Sequence, residues 1–127
     1  MIDIRIEKTT APKAKPDDAT LGFGKHFSDH MFIMDYNEEQ GWHDGRIVPF
    51  GPMPIHPAST VLHYGAEIFE GMKAYRTVDN EICLFRPLDN IRRLNDSAER
   101  LCLPLLDEEG CLDIGERCAF KCLQTSC

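Results

Sequence analysis

The sequence lacks any long apolar run. No segment approaches the roughly 18 consecutive apolar residues that a transmembrane helix needs, although 43% of the 127 residues are hydrophobic. The segment Met1–Lys8 contains Asp3 and Glu7 and has no apolar core of the kind found in secretory signals. We therefore expect neither a membrane protein nor a secreted one, and the sequence predicts a cytoplasmic location.

Positive charge is also scarce. The chain has 14 lysine and arginine residues against 21 aspartate and glutamate residues, which gives a net charge of -7. The basic residues are interleaved with acids rather than gathered in a patch, whereas a nucleic-acid surface needs a basic stripe. The sequence therefore predicts no nucleic-acid partner.

Common catalytic motifs are missing as well. The sequence contains no Gly-x-Ser-x-Gly elbow, no Walker loop and no dinucleotide-binding fingerprint. It shows no convincing Cys–His or Ser–His–Asp set either. We assign no catalytic residue to this chain, so any function must depend on other residues.

The six cysteines are interpreted as thiols, because nothing indicates an oxidising compartment. Cys83 and Cys102 have apolar neighbours in the sequence. The other four crowd the last 17 residues, at Cys111, Cys118, Cys122 and Cys127. Only the Cys118–Cys122 spacing resembles half of a zinc knuckle. A cysteine-based metal or redox module remains an alternative hypothesis that would require bound zinc.

A second possible metal site involves His26 and His30. Only a helix would point both imidazoles at one ion, and the glycines before them and the strand-like run after them argue against a helix. We expect local hydrogen bonding instead and predict no metal site.

Hydrophobic periodicity and turn residues predict short strands, two hairpins and two helices. The predicted elements are a strand at Asp3–Lys8, a hairpin of Met31–Tyr36 with Arg46–Phe50, a helix at Ser59–Ile68, a hairpin of Met72–Val78 with Glu81–Phe85, and a helix at Pro87–Leu103. Pro104 is expected to end the last helix. Beyond it, Gly110 and Gly115 interrupt the pattern, and Arg117–Cys127 shows no clean periodicity.

The stretch Leu62–Arg76 combines aromatic, glycine and charged residues and is typical of a pocket wall. Core packing is the simpler explanation for Tyr64 and Phe69. For Arg93, the simple explanation is an i,i+4 ion pair with Asp89 on an exposed helix face. The functional alternative is an anion clamp, since a guanidinium matches phosphate bidentately.

Several longer motifs resemble the N-terminal domain of branched-chain-amino-acid aminotransferases, a fold-type IV class that depends on pyridoxal 5'-phosphate. The resemblance extends from about residue 20 to Pro104. It is carried by Phe23-Gly24-Lys25-x-Phe27-Ser28-Asp29-His30-Met31, Gly41-Trp42, His56-Pro57-Ala58-Ser59, Leu62-His63-Tyr64, Ile68-Phe69-Glu70-Gly71-Met72-Lys73-Ala74-Tyr75 and Leu84-Phe85-Arg86-Pro87-x-x-Asn90-x-x-Arg93.

The resemblance implies an α+β domain with a mainly antiparallel sheet flanked by helices. It also implies amino transfer between Leu, Ile or Val and 2-oxoglutarate, with the branched-chain amino acids and their 2-oxo acids as ligands and a homodimer as the assembly. Arg93 would bind the phosphate of pyridoxal 5'-phosphate. The substrate side-chain pocket would involve Phe23, Tyr64, Phe69, Gly71 and Lys73.

The sequence departs from the family in two respects. The lysine that carries the cofactor belongs to a second domain in the family, and none of the six lysines of this chain stands in that context. Residues 107–127 also resemble a truncated or frame-shifted tail. We therefore expect an N-terminal strand and connector at residues 1–20, an aminotransferase N-terminal domain at 21–106 and an atypical tail at 107–127, together forming an N-terminal fragment without activity of its own. A non-catalytic dimerisation or interaction fragment is the alternative.

Overall fold

The computed structural model of the protein describes residues 3–17 and 20–124, with side chains described up to Cys118. The chain divides into two compact units. One unit lies in the part of the chain that ends at Pro52, and the other comprises Met53–Ala119. The boundaries predicted at residues 20 and 106 stay predictions.

The first unit contains a three-stranded sheet. Its strands are β1 (Arg5–Ile6), β2 (His30–Asn37) and β3 (Gly41–Pro49), in the order β1-β3-β2. The antiparallel hairpin of β2 and β3 confirms the prediction, although β3 begins earlier than expected. Strand β1 is shorter than predicted and pairs with β3 in parallel.

The turn between β2 and β3 explains why this hairpin forms. The Gln40 backbone N–H donates to Asn37 Oδ1 at 2.8 Å, and Gly41 has a φ of 65°, a conformation that favours glycine. Beyond the turn, the rings of Tyr36 and Trp42 meet edge to face with centroids 5.2 Å apart. Local turn chemistry and a cross-strand aromatic pair therefore fix the register.

The second unit begins with a short helix and a short hairpin. Helix α1 (Thr60–Tyr64) ends at Gly65, where a φ of 57° stops it four residues before the predicted end at Ile68. Ser59 is the N-cap residue, but its side chain forms no capping hydrogen bond. Strands β4 (Ala74–Arg76) and β5 (Ile82–Leu84) pair antiparallel around a turn in which Asn80 has positive φ.

Helix α2 (Pro87–Arg100) confirms the main helix prediction. Proline suits the first helical position because its missing N–H needs no partner there. The helix buries Ile91 and Ala98. It ends before Leu103, because the chain turns at Cys102, which has a φ of 53°, rather than at Pro104.

Helix α3 (Glu108–Gln124) occupies the segment in which the hydrophobic pattern of the sequence is interrupted. The Asp107 carboxylate accepts a hydrogen bond from the Gly110 N–H at 2.7 Å, and the Asp107 carbonyl accepts one from the Cys111 N–H at 2.9 Å. This N-cap and the burial of Ile114 offset the helix-weakening effect of Gly110 and Gly115. Whether the segment is truncated or frame-shifted stays a prediction.

The mixture of sheets and helices confirms the α+β class in its coarse form. The described strands form two separate small sheets with one parallel pairing, rather than one mainly antiparallel sheet. Few apolar side chains are buried in the described residues. They are Ile47 in the first unit and Ile82, Ile91, Ala98 and Ile114 in the second.

The cysteine side chains differ in exposure. Cys83 and Cys102 are exposed free thiols despite their apolar sequence neighbours, whereas Cys111 and Cys118 are partly buried. Cys122 and Cys127 lie outside the residues whose side chains are described.

Candidate functional site

The candidate site in the second unit is built where an irregular segment meets α2. Residues 65–73 form neither helix nor strand, so their backbone groups need other partners. The Gly71 N–H donates to Glu70 Oε1 at 3.0 Å, and the Gly71 carbonyl accepts from Asn90 Nδ2 at 2.9 Å. Asn90 thus joins this segment to α2.

Arg93 lies one turn after Asn90 on the same helix. Its Nε–H donates to Glu70 Oε2 at 2.7 Å, and its Nη2 donates to Glu70 Oε1. The predicted pairing of Arg93 with Asp89 is wrong. The Asp89 carboxylate instead pairs with Arg86 at 2.5 Å and lies 4.0 Å from Arg92, which are both three positions from it in the sequence.

These contacts shift the pKa values of Glu70 and Arg93 in opposite directions, so that each charged form is favoured. Hydrogen bonds from Arg93 and then from Asn90 lower the pKa of Glu70 from its ordinary 4.5 to about 2. The Glu70 carboxylate in turn raises the pKa of Arg93. Both groups therefore stay charged at neutral pH, which makes the pair a charge-assisted, bidentate contact.

The predicted aromatic pocket residues of this unit are on the surface. Tyr64 is 85% exposed and Phe69 is 83% exposed, so the explanation of both as core residues is wrong. Lys73 and Gly71 are exposed too. A Cβ atom at Gly71 would lie 3.7 Å from Phe69 Cζ, an ordinary contact, so steric crowding within this unit does not require glycine there.

Phe23 belongs to the first unit, where its side chain is fully exposed (102%) next to Gly24, which has positive φ. The first unit also contains a cavity of about 110 Å³, lined by residues 13–16 and 27–30. None of the predicted site residues lines this cavity. The prediction that Phe23 contributes to the substrate pocket stays a prediction.

Two residues of the cluster, Glu70 and Asn90, had no role assigned from the sequence. Both lie within the motifs that carry the family resemblance. The sequence does contain a signal for both residues. Glu70 is the single acid in Ile68–Tyr75, and Asn90 lies three positions before Arg93, which places the two on the same side of a helix.

The described residues contain no cluster of three or more potential metal ligands. His30 is buried, and its Nε2 accepts a hydrogen bond from the Thr9 N–H at 2.9 Å. The His30 side chain therefore forms a hydrogen bond, but its partner lies 21 positions away in the sequence rather than locally as predicted. Within the part of the chain that the structure covers, no helix has the length and apolar character to cross a membrane.

Comparison with known proteins identifies similar sequences. No family model matches the chain. The chain is 56% identical over 106 residues to branched-chain-amino-acid transaminase 1 of Bacillus subtilis, covering 84% of this chain and 30% of the relative. The chain is homologous to part of a branched-chain-amino-acid aminotransferase.

Other relatives agree with this assignment. Branched-chain-amino-acid aminotransferase 2 of Bacillus subtilis is 51% identical over 110 residues, which is 87% of this chain and 30% of that protein. The cytosolic branched-chain-amino-acid aminotransferase of the mouse is 47% identical over 122 residues, or 96% of this chain and 31% of the relative. The chain thus spans about 30% of the length of these relatives, consistent with the N-terminal portion that the sequence predicted.

Proposed function

We propose that this chain supplies the cofactor-phosphate arginine and part of the substrate pocket of a branched-chain-amino-acid aminotransferase. The reaction would transfer the amino group of Leu, Ile or Val to 2-oxoglutarate, with pyridoxal 5'-phosphate as cofactor in a fold-type IV framework. Identity of 47–56% with curated relatives of that name supports the reaction class. The name of the mouse relative also supports a cytoplasmic location.

The geometry of Arg93 carries the proposal. Its side chain is 68% exposed, and within the described residues its Nη1 forms no hydrogen bond. A guanidinium has five N–H donors, and Glu70 uses two of them. The remaining Nη1–Nη2 edge matches two phosphate oxygens, so the residues present fit the phosphate end of the cofactor.

Pyridoxal 5'-phosphate supplies an electron sink for the carbon that bears the amino group. The contribution of this chain is binding. Arg93 would hold the phosphate, while Tyr64 and Phe69 would contact the branched side chain, with Gly71 and Lys73 beside it. A branched aliphatic side chain offers only hydrophobic burial, which requires a fitted apolar wall.

Binding tests the phosphate role. The chain, labelled with ¹⁵N, is titrated with pyridoxal 5'-phosphate and, as a matched control, with pyridoxal, which has no phosphate. We expect the first ligand to shift the Arg93 Nε–H resonance in a saturable manner and pyridoxal to leave it in place. Arg93→Lys assigns the resonance. A titration in which pyridoxal shifts it equally would contradict the phosphate role.

Turnover is the second test. Since no lysine of the chain stands in the context of the family's cofactor lysine, we expect no glutamate from leucine and 2-oxoglutarate when the chain alone is supplied with the cofactor. Glutamate formation together with a borohydride-trapped lysine adduct would overturn this expectation.

A non-catalytic association surface is the second candidate function. Besides Tyr64 and Phe69, the side chains of Val78, Phe85 and Tyr75 are more than half exposed. The sheet of β4 and β5 has only two strands in the described residues, an arrangement of marginal stability by itself. A second copy of the chain, or an intact subunit, could cover this surface. A monomer by light scattering at all tested concentrations would count against it.

A further inference from the structure

The two members of the Glu70–Arg93 pair are buried to very different degrees. The Glu70 side chain is 11% exposed, whereas the Arg93 side chain is 68% exposed. The carboxylate is therefore the inner partner and the guanidinium the outer one. A largely desolvated carboxylate needs hydrogen-bond donors, and the outer group remains accessible to solvent and ligands.

Most of the acceptor capacity of Glu70 is used within the protein. Its Oε1 accepts from the Gly71 N–H, from Asn90 Nδ2 and from Arg93 Nη2, and its Oε2 accepts from the Arg93 Nε–H. Each carboxylate oxygen offers about two acceptor sites, so Oε1 is fully used and Oε2 keeps one. Glu70 therefore acts on Arg93 rather than on a ligand.

The carboxylate is itself held from two directions. The Gly71 backbone fixes it from the irregular segment, and Asn90 fixes it from α2, while Asn90 also donates to the Gly71 carbonyl. A long arginine side chain held by such an anchor keeps few of its rotamers. The side-chain entropy that phosphate binding would otherwise remove is thus already lost in the unliganded protein.

We infer that Glu70 is a positioning residue for Arg93, which holds the Nε and Nη2 side of the guanidinium and presents the Nη1–Nη2 edge to a phosphate group. This inference rests on the proposed cofactor role of Arg93. A different expectation follows if Glu70 were only a nearby negative charge. It would then weaken anion binding by repulsion, and its removal would strengthen that binding.

The experiment uses inorganic phosphate as the probe and the Arg93 Nε–H resonance of the ¹⁵N-labelled chain as the readout. Glu70→Gln keeps the shape of the side chain and removes its charge. Glu67→Gln is the matched control, because Glu67 is an exposed carboxylate of the same segment outside the cluster. Unchanged α2 amide resonances show that each variant is folded.

We expect phosphate to bind Glu70→Gln about three- to tenfold more weakly than the original chain, the range that corresponds to ordering one long side chain. The heteronuclear NOE of the Arg93 Nε–H should fall in the same variant, even without phosphate. Glu67→Gln should change neither quantity. If Glu70 served only to hold the backbone of its segment, Glu70→Gln would leave the NOE of the Arg93 Nε–H unchanged.

The failures of the two proposals are distinguishable. If phosphate leaves the Arg93 Nε–H resonance of the original chain unshifted, the cofactor role of Arg93 is wrong, and the NOE comparison still tests the positioning role. If Glu70→Gln binds phosphate as tightly as the original chain or more tightly, or keeps the same NOE, the positioning role is wrong. The cofactor role of Arg93 is then still tested by the pyridoxal 5'-phosphate titration, which uses the original chain.

Discussion

The side-chain amide of Asn95 pairs with the backbone of Leu106 through both of its polar ends. Its Nδ2 donates to the Leu106 carbonyl at 2.9 Å, and its Oδ1 accepts from the Leu106 N–H at 2.9 Å. The pairing connects the middle of α2 to the segment before α3, where the backbone has no ladder partner of its own. Both hydrogen bonds are partly buried, so losing them would leave desolvated backbone groups unpaired.

Asn95→Ala should therefore lower the free energy of unfolding by about 1–3 kcal/mol, measured by urea denaturation. Asn95→Asp should destabilise too, because it replaces the amide donor with a charge that faces the Leu106 carbonyl. Asp96→Ala, at the next and exposed position, is the control and should stay within about 0.5 kcal/mol of the original. A loss in Asn95→Ala no larger than that in the control would contradict the assigned role.

Stability should depend on pH through Glu70. Arg93, followed by Asn90, lowers the folded-state pKa of Glu70 to about 2, below its ordinary value of 4.5. A carboxyl whose pKa is depressed on folding contributes stability above its unfolded pKa and loses it as the pH falls toward the folded pKa. The contribution of Glu70 should therefore be complete above about pH 4.5 and decline between about pH 4.5 and 2.

Thermal unfolding of the original chain and of Glu70→Gln, followed across this range, measures that contribution. The difference in midpoint should be constant near neutral pH and shrink below about pH 4.5. Glu67→Gln supplies the control for losing one exposed carboxylate. If the difference in midpoint stayed constant down to pH 2, Arg93 and Asn90 would not lower the pKa of Glu70 in the folded protein.

The elements with strong local signals could be predicted from the sequence. The Asn37–Gly41 turn fixes the hairpin of β2 and β3, and the apolar spacing with Pro87 at its start predicts α2. In each case, residues close in sequence decide the structure. The lengths were less predictable, because positive-φ residues such as Gly65 and Cys102 end elements earlier than periodicity alone indicates.

The contacts that build the site could not be predicted in the same way. Glu70 and Arg93 are 23 positions apart, and the sequence offered Asp89 as a nearer partner at helical spacing. Which carboxylate an arginine selects depends on the path of the irregular segment between α1 and β4. The family resemblance identified Arg93 as a functional candidate, but its partner emerged only from the fold.

Helix α3 illustrates the opposite case, in which a single polar residue outweighs unfavourable propensity. Asp107→Ala removes the acceptor for the Gly110 N–H and should cost about 1 kcal/mol of stability together with helical signal in circular dichroism. Asp107→Asn keeps a capping oxygen and should preserve most of both. Equal losses in the two variants would show that the charge, rather than the cap, stabilises this helix.

The same aspartate influences the thiol of Cys111. Burial, and to a smaller extent the negative charge of Asp107, raises the pKa of Cys111. The thiolate is the reactive form, so Cys111 should be alkylated by iodoacetamide more slowly near neutral pH than the exposed Cys83 and Cys102, which serve as internal controls in peptide mass spectrometry. Asp107→Asn should lower the pKa of Cys111 only in part, because burial remains. If the pKa returned fully to the ordinary range in this variant while the helix stayed intact, charge repulsion rather than burial would be the dominant cause.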